Sequence, residues 1–423
     1  MPLSERRGRR QFRGSQKTCL NTCLLTLSEE RPTVMMIKLN YSPLAGLFWC
    51  VLVFLLLTSS CKQAPAGKKN TSAKTGSAEI KYAKGFTIDY YDSYKLISIY
   101  SGIGTQRDTA QYVLLPAGAK APEGYQKAQL IRIPVKKLVA MASTHVAQAD
   151  FAGVASKIVG LGSFKYITSP VVRKNIAAGK VKDVGVDGTM NDEVLISMRP
   201  GLVIVMGNPD ASLSKYETLS TAGVPVMLNS EWLETTPLGR AEWVKVMAAL
   251  TNTEKLVNAK FDVIEKEYKR LAEIGRSAKS KPSIISGMPF KGIWNVPDGD
   301  SYMAEFFRDA GVSYKWINVK GKGSLPLNFE TVAPEALKAD FWLNPGYVDS
   351  KNDIQALDGR YADFKPFKSG NIFNFNKKVN DLGSNDYWES GAVNPQLILG
   401  DLIKILHPEL LPDHQLVYYK QLN

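Results

Sequence analysis

Cysteine is nearly absent from the body of this 423-residue chain: Cys19, Cys23, Cys50 and Cys61 are its four, and none follows position 61. Everything after Cys61 is therefore unable to form an intramolecular disulfide or a thiolate-ligated metal or cluster site. Histidine is also scarce, with His145, His407 and His414 alone. One half of the chain could bring only His145 to a zinc or manganese site, so no metal centre and no resident cofactor are expected. His407 and His414 adjoin a helix-like C-terminal stretch and read as solvated helix-end residues. No HExxH, GxSxG, CxxC or Walker-type run occurs. That leaves no catalytic constellation to name.

Charge of one sign is in modest excess once the first 60 residues are set apart. They hold eight Lys/Arg and three Asp/Glu, so the net +13 of the chain falls to +8 for the remainder. Spread over so long a chain, that balance argues against a nucleic-acid partner.

What is present begins with an apolar run, LAGLFWCVLVFLLLTSS at 44–60, preceded by Lys38 and closed by small residues. A basic flank, an apolar core and a small-residue end are the layout of an export signal. Thr58 to Cys61, TSSC, resembles a lipobox, whose cysteine is acylated and becomes the new N-terminus; Thr58 stands where that motif usually has Leu. Cys61 is the expected lipidation site, and the alternative reading of the run is a single membrane-spanning anchor. Both place the rest outside the cytoplasm, in a bacterial periplasm or cell envelope. Residues 1–60 thus read as a signal segment. Within it, 1–34 carry Arg6, Arg7, Arg9, Arg10 and Arg13 ahead of Met35-Met36 and read as lying upstream of the true start. KQAPAGKKNTSAKTGSAE follows Cys61 without apolar periodicity, so 61–79 is expected to be a flexible tether.

From Ile80, FTIDYYDSYKLISIYSG and AQYVLLPAG alternate in the manner of antiparallel strands. SGIGT at 101–105 is glycine-rich but leads into another strand rather than a helix, so it reads as a turn. From about 138 the short apolar runs LVAMAS, KIVGLGS, LVIVMG and VPVMLNS are interleaved with helical stretches. Strands apolar on both faces and separated by helices imply a parallel sheet covered on both sides. This N-terminal lobe spans 80–237. Helical segments fill 238–279, where Val257, Phe261, Ile264, Tyr268 and Leu271 mark one packed stripe of a long helix over 253–274. The alternation resumes over 280–423 as a second lobe. The expected fold is α/β: two Rossmann-like lobes joined by a single long α-helix, with a ligand cleft between the lobes.

Aromatic residues fall in the loops between sheet elements: Trp232 after the fourth strand of lobe one, Trp294 in GIWNVPDGDSY, and Tyr387 and Trp388 in GSNDYWESG. Aromatic faces with a few fixed polar groups suit a large planar or metal-chelate ligand.

The chain from about 138 to 410 resembles the periplasmic binding proteins that serve iron-siderophore, haem and cobalamin ABC importers. MASTHVAQADFAGVASKIVGLG is similar to their opening strand, turn and helix, and NDEVLISMRPGLVIVMG to their glutamate-led helix before a strand. GVPVMLNSEWLET, GDSYMAEFFRDAG and FETVAPEALKADFWLNPG follow in the family's order. The resemblance implies a monomeric solute receptor, not an enzyme, that captures an iron complex or corrinoid and delivers it to importer membrane subunits. It places Glu193 and Glu305 as the docking glutamates, although the proline usual before the first is replaced by Met190-Asn191. The cleft would be lined by Thr144, His145, Lys165, Tyr166, Arg173, Asn208 and Trp232 from the first lobe, and by Trp294, Tyr302, Asn344 and Trp388 from the second. Tyr166 could serve as an axial haem ligand. Lys165 and Arg173 would suit an anionic chelate. The competing readings are a metal chelatase or nitrogenase-like scaffold on related lobes, and a surface lipoprotein without transport.

Overall fold

The computed structural model describes residues 72–101, 108–208, 212–321 and 323–423. The signal segment, Cys61 and Gly102–Thr105 of the SGIGT stretch lie outside the described residues.

The lead-in strands form a sheet in the order β1 (Lys74–Ser77), β2 (Phe86–Tyr91), β3 (Lys95–Ser101), β4 (Asp108–Pro116) and β5 (Gln129–Ile133). β2, β3 and β4 pair antiparallel as expected and β5 joins β4 in parallel, whereas β1, which pairs antiparallel with β2, lies within the stretch 61–79 expected to be a flexible tether, so that the tether ends before Lys74. Strand alternation sends Phe86, Ile88, Ile97, Ile99, Tyr112 and Leu114 into the first lobe's core. The opposite face carries Leu96, Val113 and Leu115, as the two-residue side-chain period requires.

The first lobe's own sheet is wholly parallel. Its order is β10 (Val226–Asn229), β9 (Leu202–Met206), β6 (Leu138–Ala140), β7 (Ile158–Leu161), β8 (Lys182–Asp183). Leu138, Ala140, Leu202 and Ile204 face one core, and Val139, Val203 and Val205 the other. Burial on both faces explains why these strands are continuous apolar runs.

Two short helices, Pro237–Glu242 and the fully buried Val244–Thr251, lead into the spine helix Glu254–Arg276. All five stripe residues are buried, and at 1.5 Å per residue the helix spans about 35 Å. Near its end a side chain on Gly275 would meet the Asp309 carbonyl oxygen at 2.2 Å. Only glycine lets the spine press so closely on the second lobe.

The second lobe's sheet runs β13 (Ser313–Tyr314), β11 (Ser283–Ser286), β15 (Phe341–Leu343), β16 (Ile372–Asn374), β17 (Lys420–Gln421), parallel except for β17. A separate antiparallel pair, β12 (Trp294–Pro297) and β14 (Ser324–Leu327), covers its side.

The segment before β2 is strapped to the linker by two buried carboxylates. Glu242 accepts backbone N–H bonds from Lys81, Tyr82 and Ala83 at 2.7–3.0 Å, and Glu234 accepts them from Lys84 and Gly85. Lys245 pairs with Glu242 at 2.8 Å.

Candidate functional site

The loop after β7 meets the loop after β16 through hydrogen bonds between the lobes, so carboxyl ends of the two parallel sheets come together, where ligands of open α/β sheets collect. Exposed aromatics mark its rim. Tyr166 follows β7, Trp232 follows β10, and Trp388 lies in the loop after β16, each 41–58% exposed. Trp388 stands edge-on to Phe375 and Tyr387. Trp232 donates its indole N–H to the Gly207 carbonyl at 2.5 Å. A side chain on Gly207 would sit 2.0 Å from the Ser230 hydroxyl, so glycine there is what admits this packing.

Below the rim a polar path crosses from one lobe to the other. The Thr144 hydroxyl lies beside the Glu231 carboxyl, and the Arg240 charge acts on the same group. Arg240 packs its guanidinium 3.8 Å from the centre of the Tyr302 ring and donates to the Trp232 carbonyl at 2.8 Å. Tyr387 and Tyr419 continue the path edge-to-face, with Asn344 beside the Tyr419 hydroxyl. Six side-chain atoms on or beside this path are buried without a hydrogen-bond partner: Thr144 Oγ1, Ser230 Oγ, Glu231 Oε2, Arg240 Nε, Asn344 Oδ1 and Tyr419 Oη. A buried unpartnered polar atom costs roughly 1–3 kcal/mol. Thr144 faces Glu231 and Asn344 faces Tyr419, so these atoms form a loosely bonded polar seam between the lobes, beneath the exposed rim. Burial raises the Glu231 carboxyl above its ordinary range, against the pull of Thr144 and Arg240.

Of the residues expected to line the cleft, Thr144, Tyr166, Trp232, Tyr302, Asn344 and Trp388 fall on this rim and floor. Lys165 is exposed beside Tyr166, with its ammonium 5.7 Å from that ring. Asn208 is exposed just past β9, and Arg173 is half-buried on the helix Pro170–Ala177.

Three expectations are corrected, two of them for cleft residues. His145 is fully buried behind Thr144, where desolvation lowers its pKa to about 3, so it is a neutral core residue. Trp294 does not end the first strand of lobe two. It begins β12 and is wholly enclosed among Phe329, Trp342, Tyr361 and Phe364. His407, expected to be solvated, is also fully buried, with Nε2 3.0 Å from the Ala310 carbonyl. His414 is partly covered and contacts the buried Asp401 at 2.7 Å. The chain after the last helix folds back over both, because Asp401 accepts the backbone N–H groups of Val417, Tyr418 and Tyr419.

Glu193 stands exposed in the first turn of the helix Asp192–Met198. Glu305 occupies the matching turn of Tyr302–Asp309 in the other lobe, paired with Arg308. It borders a cavity of about 720 Å³ that also touches Tyr82, Leu238 and Arg276. Among the described residues no group of three or more His, Cys, Asp or Glu is placed to hold a metal, and no helix is long and apolar enough to cross a membrane.

The family profile described as periplasmic binding protein matches residues 139–374. The chain belongs to this family. The periplasmic binding protein is 28% identical over 371 residues to an uncharacterised lipoprotein of Methanocaldococcus jannaschii, covering 81% of this chain and 85% of the relative. A second lipoprotein of that archaeon is 25% identical, with 85% and 91% covered. Among solved structures, a periplasmic binding protein from Veillonella parvula aligns at a TM-score of 0.52 and 14% identity, over 74% of this chain and 98% of that one. A possible iron-binding periplasmic protein from Staphylococcus epidermidis aligns at 0.50 and 15%, over 65% and 99%. These likenesses show the fold: two α/β lobes on a helical spine. The protein is thus a solute-binding receptor of the ABC-importer type, and its family consists of binding proteins rather than enzymes.

Proposed function

We propose that this receptor captures an iron complex or a corrinoid in the interlobe cleft and hands it to the membrane subunits of an ABC importer. The observation that carries the reading is the polar path from Thr144 to Asn344 beneath three exposed aromatic rings. A large ligand with a flat or apolar body can rest on Tyr166, Trp232 and Trp388 while its polar groups meet Glu231, Arg240 and Asn344. Any metal belongs to the cargo. Acylation at Cys61 and the tether after it would hold the monomeric body outside the cytoplasm, in keeping with relatives named as lipoproteins. Those relatives are archaeal, so the envelope in question need not be a bacterial one. Glu193 and Glu305 are one acid per lobe for the importer to grip, Glu305 by exchanging Arg308 for an importer cation.

Tryptophan-fluorescence titration of the protein beginning just ahead of β1 tests this, against a ferric hydroxamate, a ferric catecholate, ferric citrate, haemin and cyanocobalamin. Saturable quenching at micromolar or tighter affinity by one of them is expected. Silence across all five would reject the iron-complex and corrinoid reading.

A further inference from the structure

The spine helix is not the only tie between the lobes. The loop after β7, residues 163–169, is bonded to the loop after β16, residues 378–390, by five hydrogen bonds that cross from lobe to lobe. Glu389 spreads its two oxygens over the backbone N–H groups of Thr168 and Ser169, at 2.8 and 2.7 Å. Asp386 accepts from the Thr168 hydroxyl at 2.7 Å. Asn380 donates to the Ile167 carbonyl at 3.0 Å, and Ser384 donates to the Lys165 carbonyl. The first of these loops carries Lys165 and Tyr166, and the second carries Trp388, so the contact sets one wall of the cleft.

We infer that Glu389 and Asp386 are positioning residues for the binding cleft, forming a clasp between the lobes that holds this wall in acid and loosens it towards neutral pH. The clasp encloses a cavity of about 390 Å³ lined from both lobes, with Asp150 and Ser169 on one side and Lys378, Asp386 and Glu389 on the other. Glu389 is 2% exposed. The charged and titratable groups around it are Asp150 from the helix Ser143–Phe151, Asp386 and Lys378 from its own loop, and Tyr418, which reaches Asp386 through Ser390. Two of the carboxyls resist ionising in this setting. Burial lifts Glu389 to about 7 despite the N–H bonds from Thr168 and Ser169, and burial raises Asp150 too. With the lobes parted, water would return Glu389 to its ordinary value near 4.5. Closing the clasp therefore takes up a proton between about pH 4.5 and 7, and mass action makes closure weaker as pH rises through that window.

The significance of this wall for a ligand rests on the cleft being the binding site, but the clasp itself is tested without ligand. Amide exchange at Thr168 and Ser169, expressed as protection relative to unstructured peptides, is compared at pH 5 and 7.5. Protection falls about ten-fold or more in the wild type, and Glu389→Gln, which has no proton to exchange, shows little of that fall. Glu389→Asp restores it. In protein labelled with 5-fluorotryptophan, the Trp388 resonance, assigned by Trp388→Phe, shifts with the same pH dependence. Protection that does not change with pH in the wild type, or that changes equally in Glu389→Gln, overturns the clasp while leaving the receptor reading to the titration panel. Should Glu389→Gln fail to fold, Thr168→Val removes only the Asp386 bond, and unaltered protection at both pH values then overturns it.

Discussion

Arg240 is fixed from three directions: the Tyr302 ring against its plane, the Trp232 carbonyl on Nη2, and the Glu231 carboxyl near enough to feel its charge. A guanidinium held this way loses little freedom when it meets a ligand oxygen. Charge-assisted hydrogen bonds contribute roughly 1.5–3 kcal/mol. Arg240→Ala should therefore weaken whichever ligand the titration identifies by about ten- to a hundred-fold. Arg240→Lys should recover little, since a lysine cannot both stack and donate in a plane. An unchanged dissociation constant in Arg240→Ala would remove Arg240 from the site. Arg173→Ala asks the same of the helix Pro170–Ala177: a weakened anionic ferric chelate supports a binding role, and equal affinity assigns Arg173 to the helix surface. Glu242 makes a different kind of demand, on stability. It is fully buried, and its removal leaves three backbone N–H groups without an acceptor and the buried Lys245 ammonium with the Glu79 carbonyl in place of a counter-charge. Breaking one side of such a pair costs about 3–5 kcal/mol. Glu242→Ala should show a loss of that size in chemical denaturation, and a loss under 1 kcal/mol would mean the strap is not held as described.

At the scale of elements, Glu265 on the spine helix receives Lys269, Tyr82 and Lys81. Burial alone would raise its carboxyl, but these bonds outweigh burial and bring it down to about 2. A depressed carboxyl stabilises the fold at pH above its ordinary value near 4.5 and ceases to do so as pH falls towards 2. The stability difference between wild type and Glu265→Gln should therefore shrink as pH is lowered from 5 to 3, measured by denaturant unfolding. A constant difference would refute the linkage. Elements of this kind were legible in the sequence to differing degrees. The spine stripe could be read because a 3.6-residue period repeated over 23 residues admits one packing face. The parallel strands could be read because both their faces are apolar. The strap could not, since Glu242 and Glu234 have the sequence surroundings of ordinary helix and loop acids. Nor could Arg240, one cation in an amphipathic helix, nor Tyr419, whose contact with Asn344 depends on the chain folding back after its last helix. His145 and Trp294 differ from expectation for separate reasons: His145 adjoins Thr144, where one residue of phase decides between cleft and core, whereas Trp294 opens a separate strand, β12, beyond the end of β11.

For the whole molecule the question is how far the lobes move. The spine is 23 residues of unbroken helix, closed against the second lobe at Gly275. A further connection of the lobes is Val393, which lies in the chain of the second lobe but packs in the core of the first. A hinge of two flexible strands would let such lobes swing wide, whereas a rigid helix with side ties allows small adjustments. Solution scattering with and without the ligand that the titration identifies should then give nearly equal radii of gyration. The clasp sharpens the comparison. If lobe separation is limited by the spine, ligand-free profiles at pH 5 and 7.5 overlay even while the 163–169 amides lose protection. If the clasp is what restrains the lobes, the radius grows at pH 7.5 in the wild type and changes little between pH 5 and 7.5 in Glu389→Gln. A marked compaction on ligand binding at either pH would contradict the rigid-spine account itself, because no small rearrangement around an unbroken helix can bring about that change.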